Sequence, residues 1–144
     1  MKTKVKAKVP RKRRITISSA KAKGRNLQQL ACQKISDLIG LPWGKDEVIA
    51  SREGCQPGTD VRLVGNARVL FPFSVECKDH DKWSEGKIRA WIEQASANCM
   101  PDTYWILFLK KTAKIKKDKI RPIIVMDVDD FFEVLTRLGG FDKP

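Results

Sequence analysis

The chain has 144 residues, enough for one domain whose single core needs no disulfide or metal staple. It carries 29 Lys and Arg against 17 Asp and Glu, a net charge of +12, with no apolar run long enough to span a membrane and no h-region for export. Its four cysteines, Cys32, Cys55, Cys77 and Cys99, form no C-x-x-C pair, which argues against a zinc cluster and points to a reducing, cytoplasmic setting.

The charge is unevenly spread. Residues 1–25 hold eleven Lys or Arg and no acid, whereas the remainder is close to neutral. The predicted organisation is therefore a disordered basic arm over residues 1–20, including Arg11, Lys12, Arg13 and Arg14, followed by one domain over 21–144. Nucleic acid is the expected partner, because each neutralised phosphate releases counterions.

In chain order, Leu27, Leu30, Ala31, Ile35, Leu38 and Ile39 recur at helical spacing and predict an amphipathic helix over 24–39, closed by Gly40 and Pro42. Gln28 lies near the edge of its apolar face. Lys23-Gly24-Arg25, at the predicted start, offer cations and backbone N–H groups to a phosphate. Residues 47–52 and 60–64 read as short strands around a turn containing Gly54, Pro57 and Gly58. Phe73, Val75 and Cys77 alternate with Ser74, Glu76 and Lys78, the period-2 pattern of a strand with two different faces. Residues 79–83 read as a polar loop, and Ser84 as the N-cap of a helix over 84–98 that buries Ile88, Trp91, Ile92, Ala95 and Cys99. The apolar run 103–109 predicts a central strand buried on both faces, and 110–121, with seven basic residues against one acid, a charged loop or hairpin tip. A strand over 123–128 and a last helix capped by Asp129 or Asp130 complete the order.

Asp60, after the Pro57-Gly58-Thr59 turn, and Glu76 with Lys78 on one strand face give two carboxylates and an ammonium able to converge. That is the minimum equipment for metal-assisted phosphodiester hydrolysis. Taken singly, Asp60 reads better as a turn acid, and Glu76 with Lys78 as an exposed strand pair; the joint spacing, the following helix and the basic arm reverse that.

The half-motifs Thr59-Asp60 and Glu76-Cys77-Lys78 resemble the PD-(D/E)XK nuclease superfamily, with Thr59 in place of the usual Pro. The element order over about residues 23–138 is similar to its restriction-endonuclease-like αβββαβ core, so an α/β fold with a mixed sheet flanked by helices is expected. The nearest look is to small phage nucleases and archaeal-type Holliday-junction resolvases. Lys23-Gly24-Arg25 match their basic opening, but Gln28 stands where they place an acid. The resemblance implies an Mg²⁺-dependent DNA endonuclease, with Mn²⁺ as substitute, acting on branched or recombining DNA as a homodimer, with no membrane association and no small-molecule cofactor. It assigns Asp60 and Glu76 to the metal, with the Cys77 carbonyl as a further ligand, Lys78 to the reacting water or phosphate, and Gln94 to a water or Lys78. Lys23, Arg25, Gln28, Arg52, Arg62, Lys82 and Lys87 are the DNA-contact candidates.

The alternatives are a sequence-specific restriction-type endonuclease, a non-catalytic DNA-binding module on the same fold, and an RNA-binding basic-arm protein. The first needs inserted elements that reach base edges, which this compact chain has little room for. Glu53, on the entry to the Asp60 turn, and His80, the only histidine, are expected to face solvent. Asp127, Asp129 and Asp130 read as helix-capping acids, and Trp43 and Trp83 as the tryptophans placed to stack on bases.

Overall fold

The structure is a computed structural model and describes residues 16–53, 56–112 and 121–139. The expected basic arm therefore lies outside the described residues as far as residue 15, as does most of the charged tip between residues 112 and 121.

Helix α1 spans Ile17–Ile39, seven residues longer at its start than its apolar spacing suggests. The Thr16 hydroxyl accepts the Ser19 N–H at 3.4 Å, an N-cap that places Ser18-Ser19 in the first helical turn. Lys23-Gly24-Arg25 consequently lie inside the helix, where backbone N–H groups are engaged in its ladder. They offer side-chain charge only. The helix ends at Gly40, whose φ of 71° permits the left-handed turn that returns its N–H to the Ser36 carbonyl.

Strands β1 (Ile49–Ser51) and β2 (Val61–Leu63) form an antiparallel ribbon, Ile49 opposite Leu63. A short helix, α2 (Asn66–Leu70), fills the interruption before β3 (Phe73–His80). Helix α3 (Glu85–Ala97), capped by Ser84, carries the chain back to β4 (Tyr104–Lys111), which pairs in parallel with β3. Strand β5 (Ile123–Val125) joins β4 antiparallel, and helix α4 (Val128–Leu138) follows. The result is an α/β fold whose mixed sheet has the order β3-β4-β5, with β4 central as its apolar run implies. The β1–β2 ribbon is tied to β3 by one backbone bond, Asp60 N–H to the Val75 carbonyl at 2.9 Å.

Alternation along the sheet divides the core. Val75, Cys77, Ile106 and Phe108 meet Leu27, Ala31, Cys32 and Ile35 of α1, whereas Leu107 and Leu109 meet Trp91 and Ala95 of α3. Burial in the first of these layers pushes the Cys32 thiol up to about 11, and Cys77 is likewise raised, so both are inert structural thiols.

Three expected boundaries move. Strand β3 continues through Asp79 and His80, because its pairing with β4 extends to His80 opposite Lys111. The expected loop there is thus strand, and the His80 ring stacks on Trp91 at 4.7 Å. Strand β5 stops at Val125, and Val128 already belongs to α4. The cap of that helix is Asp127, which accepts from Asp129 and Asp130 N–H, and neither of the latter two acids serves.

Candidate active site

The site is assembled at the edge of β3 that faces away from β4. The turn before β2 is pinned from below by Arg52: its backbone N–H donates to the Asp60 carbonyl at 2.8 Å, and its Nη1 donates to the Pro57 carbonyl. Gly58 has φ of 104°, and a Cβ there would sit 3.1 Å from the Arg52 guanidinium, so glycine meets both the backbone conformation and the space. Thr59, 6% exposed, donates from its hydroxyl to the Val61 carbonyl at 2.9 Å. These bonds aim the following side chain.

Asp60 Oδ2 accepts the Cys77 N–H at 2.7 Å, reaching across the open edge of β3. The Gln28 amide, from α1, lies beside the same carboxylate and favours its charged form. Burial outweighs these effects and holds the Asp60 carboxyl above its ordinary 3.8, the Cys77 N–H opposing and the nearby Glu76 charge adding to the rise.

Glu76 points to the α3 side of β3 and is only 2% exposed, which rules out the exposed strand pair as its reading. Its Oε1 accepts from Lys78 Nζ at 2.8 Å, and its Oε2 accepts from Asn98 Nδ2 at 3.4 Å. A carboxylate buried to this degree requires a partner, and Lys78, two positions along the same face, supplies it. Sequence reasoning misses Asn98. It ends α3 one turn beyond Gln94, and a polar residue closing a helix that packs on the Glu76 face is the signal that marks it.

Of the candidates, Gln28, Asp60, Glu76, Cys77 and Lys78 come together. Gln94 is exposed on α3 and makes no hydrogen bond to the three charged residues among the described residues. Lys82 and Lys87 are exposed beside the start of α3, Arg25 is exposed and Lys23 half-buried on α1, and Glu53 is exposed. Arg62 Nη2 donates to the Lys45 and Glu47 carbonyls. Neither loop tryptophan is a free platform: Trp43 donates to Gln33 Oε1 at 2.8 Å and packs on the α1 layer, and Trp83 packs on the α3 layer.

Among the described residues no group of three or more His, Cys, Asp and Glu side chains is placed to hold a metal. The donor set is instead two carboxylates close enough to repel one another, against one ammonium. A family model described as "Phage putative PDDEXK endonuclease" matches residues 19–137. The chain belongs to this phage PD-(D/E)XK endonuclease family. The match takes in α1 through nearly all of α4, and so includes both half-motifs and the helix that carries Gln28. No curated protein and no solved structure matches the chain. A nuclease of this family acts on nucleic acid, and among the described residues no helix is long and apolar enough to cross a membrane.

Proposed function

We propose that this phage endonuclease hydrolyses DNA phosphodiester bonds with a bound divalent cation, Mg²⁺ or in its place Mn²⁺, and acts on branched or recombination-intermediate DNA. The observation that carries the reading is Asp60 bonded to the Cys77 N–H at the free edge of β3, within reach of the charge of Glu76, which in turn holds Lys78. The donors fit a hard cation: two carboxylates, together with the Cys77 carbonyl, which shares the strand edge of its own N–H. Two carboxylates against one ammonium leave a negative charge for the cation to neutralise. When bound, such an ion polarises the scissile phosphate and makes a coordinated water acidic.

Asp60 and Glu76 hold the ion, and Gln28 and Asn98 hold the carboxylates. Lys78 orients the attacking water or offsets charge growing on the phosphate oxygens. Gln94 is assigned a water at the rim. Lys23, Arg25, Arg52, Arg62, Lys82 and Lys87 contact the backbone, and the basic segment at the start of the chain adds salt-sensitive affinity. Cutting two strands calls for two sites, so the working unit is a homodimer, acting in the host cytoplasm.

Cleavage of labelled four-way junction, flap, duplex and single-stranded DNA in Mg²⁺ tests the substrate. Faster cutting of the junction or flap is expected. Equal rates on plain duplex would make the enzyme a general endonuclease, and one duplex sequence cut above all others would make it a restriction-type enzyme.

A further inference from the structure

Beside the Asp60–Glu76 edge lies a cleft of about 370 Å³, lined by Arg52, Arg62, Arg68, Thr59, Ser74 and Met100 among others, of which the proposed function uses only Arg52 and Arg62, as backbone contacts. Among the described residues no Asp or Glu lines it. Its three guanidiniums are held by neutral backbone oxygens: Arg52 by Pro57, Arg62 by Lys45 and Glu47, and Arg68 by Pro101 at 2.7 Å. Among the described residues none of the three forms an ion pair with a carboxylate.

A guanidinium has five donors and a full charge, and these ties use one nitrogen of each. Arg52 Nε is moreover buried without a hydrogen-bond partner among the described residues. That nitrogen is closed to an acceptor from outside the chain, so the donors left for a ligand are the terminal guanidinium nitrogens. Like charges gathered without counter-charge in a concave site suit an anion, and the planar fork suits phosphate oxygens.

We infer that this arginine-lined cleft is a second phosphate-binding site, which seats a phosphate of the DNA strand next to the one being cut. The inference rests on the nuclease reading and adds a place for the substrate. Thr59 precedes Asp60, and Ser74 lies two positions before Glu76 on the same face of β3, a span of about 7 Å along a strand. That is the reach of one nucleotide. The cleft therefore begins where the carboxylates end and fixes the strand's direction through the site.

Binding of labelled DNA in EDTA, followed by fluorescence anisotropy over a range of salt, tests the inference. Arg68→Gln removes one guanidinium. Val64→Glu adds a carboxylate at an exposed position on the cleft wall without touching the arginine ties. Arg68→Gln is expected to weaken binding roughly threefold to tenfold and to lower the salt slope by about one. Val64→Glu is expected to weaken binding at least as much while leaving the melting temperature unchanged. A loss seen on covalently closed circular DNA assigns the cleft to internal phosphodiesters, and a loss confined to phosphorylated ends assigns it to a terminal phosphate. Wild-type affinity and salt slope in both variants would overturn the inference while leaving the nuclease reading intact. Absence of DNA binding by the wild type in EDTA and in Ca²⁺ alike would overturn both.

Discussion

At Asp60, burial is the strongest influence on the carboxyl, and it opposes the charge that a metal ligand needs. The sign of the consequence follows from linkage: a group whose folded pKa is raised contributes stability below its unfolded value, and that contribution is lost as pH rises through the folded value. At neutral pH the ionised Asp60 therefore costs stability. Asp60→Asn keeps an oxygen for the Cys77 N–H and removes the charge, so thermal melts in metal-free buffer at pH 7 should show a higher Tm than wild type. The gain should vanish as the pH falls below 3.8. A lower Tm at pH 7 would mean that the Cys77 N–H and the attraction of Lys78 together exceed the burial cost. Asp60, Glu76 and Lys78 were legible in the sequence because turn chemistry and period-2 alternation are local signals. Asn98 was not, since its role depends on α3 crossing β3, a contact between residues 22 positions apart.

At the scale of elements, the Asp60 turn is held by the fit between Gly58 and the Arg52 side chain. Gly58→Ala meets both a positive φ and a guanidinium 3.1 Å from the new Cβ, and should cost about 1–3 kcal/mol. Urea unfolding should show this as a lower midpoint at unchanged slope, and an unchanged midpoint would show that the turn relaxes freely. The apolar spacing from Leu27 marks α1 correctly, but the helix starts at Ile17 because of a cap and not because of a buried face. Thr16 and the polar turn after it leave no hydrophobic period to read. The extension of β3 to His80 is hidden for a related reason. Asp79 and His80 are polar, and their strand state comes from partners on β4. The central strand is readable at once, because an unbroken apolar run too short for a buried helix fits a strand covered on both faces.

At the scale of the whole molecule, α4 stands out because none of its residues is buried. Phe132 is 61% and Leu138 75% exposed, and Val128, Phe131, Ile123 and Ile124 also face solvent. Its half-buried residues are Asp130, Val134 and Leu135, and the Arg137 guanidinium lies 5.3 Å from the Tyr104 ring centre. Exposed apolar side chains grouped in this way mark an interaction surface more often than scattered ones do. The homodimer proposed above would use this face for a second copy. Sedimentation of the wild type should give a dimer and that of Phe132→Glu a monomer. A monomeric wild type, or a dimeric variant, would remove α4 from the assembly.

Asp60 and Glu76 together are proposed to hold the cation with which the enzyme cuts DNA. The most direct measurement is the rate of cleavage of the best DNA substrate in Mg²⁺ and in EDTA, for the wild type, Asp60→Asn and Glu76→Gln. Loss of a ligand carboxylate removes several kcal/mol of transition-state stabilisation, on the order of a hundredfold or more in rate. Cleavage by the wild type in Mg²⁺ alone, with losses of that size in both variants, is the predicted result. Cleavage that persists in EDTA or in Glu76→Gln, or tight DNA binding with no cleavage in Mg²⁺ or Mn²⁺, would contradict it.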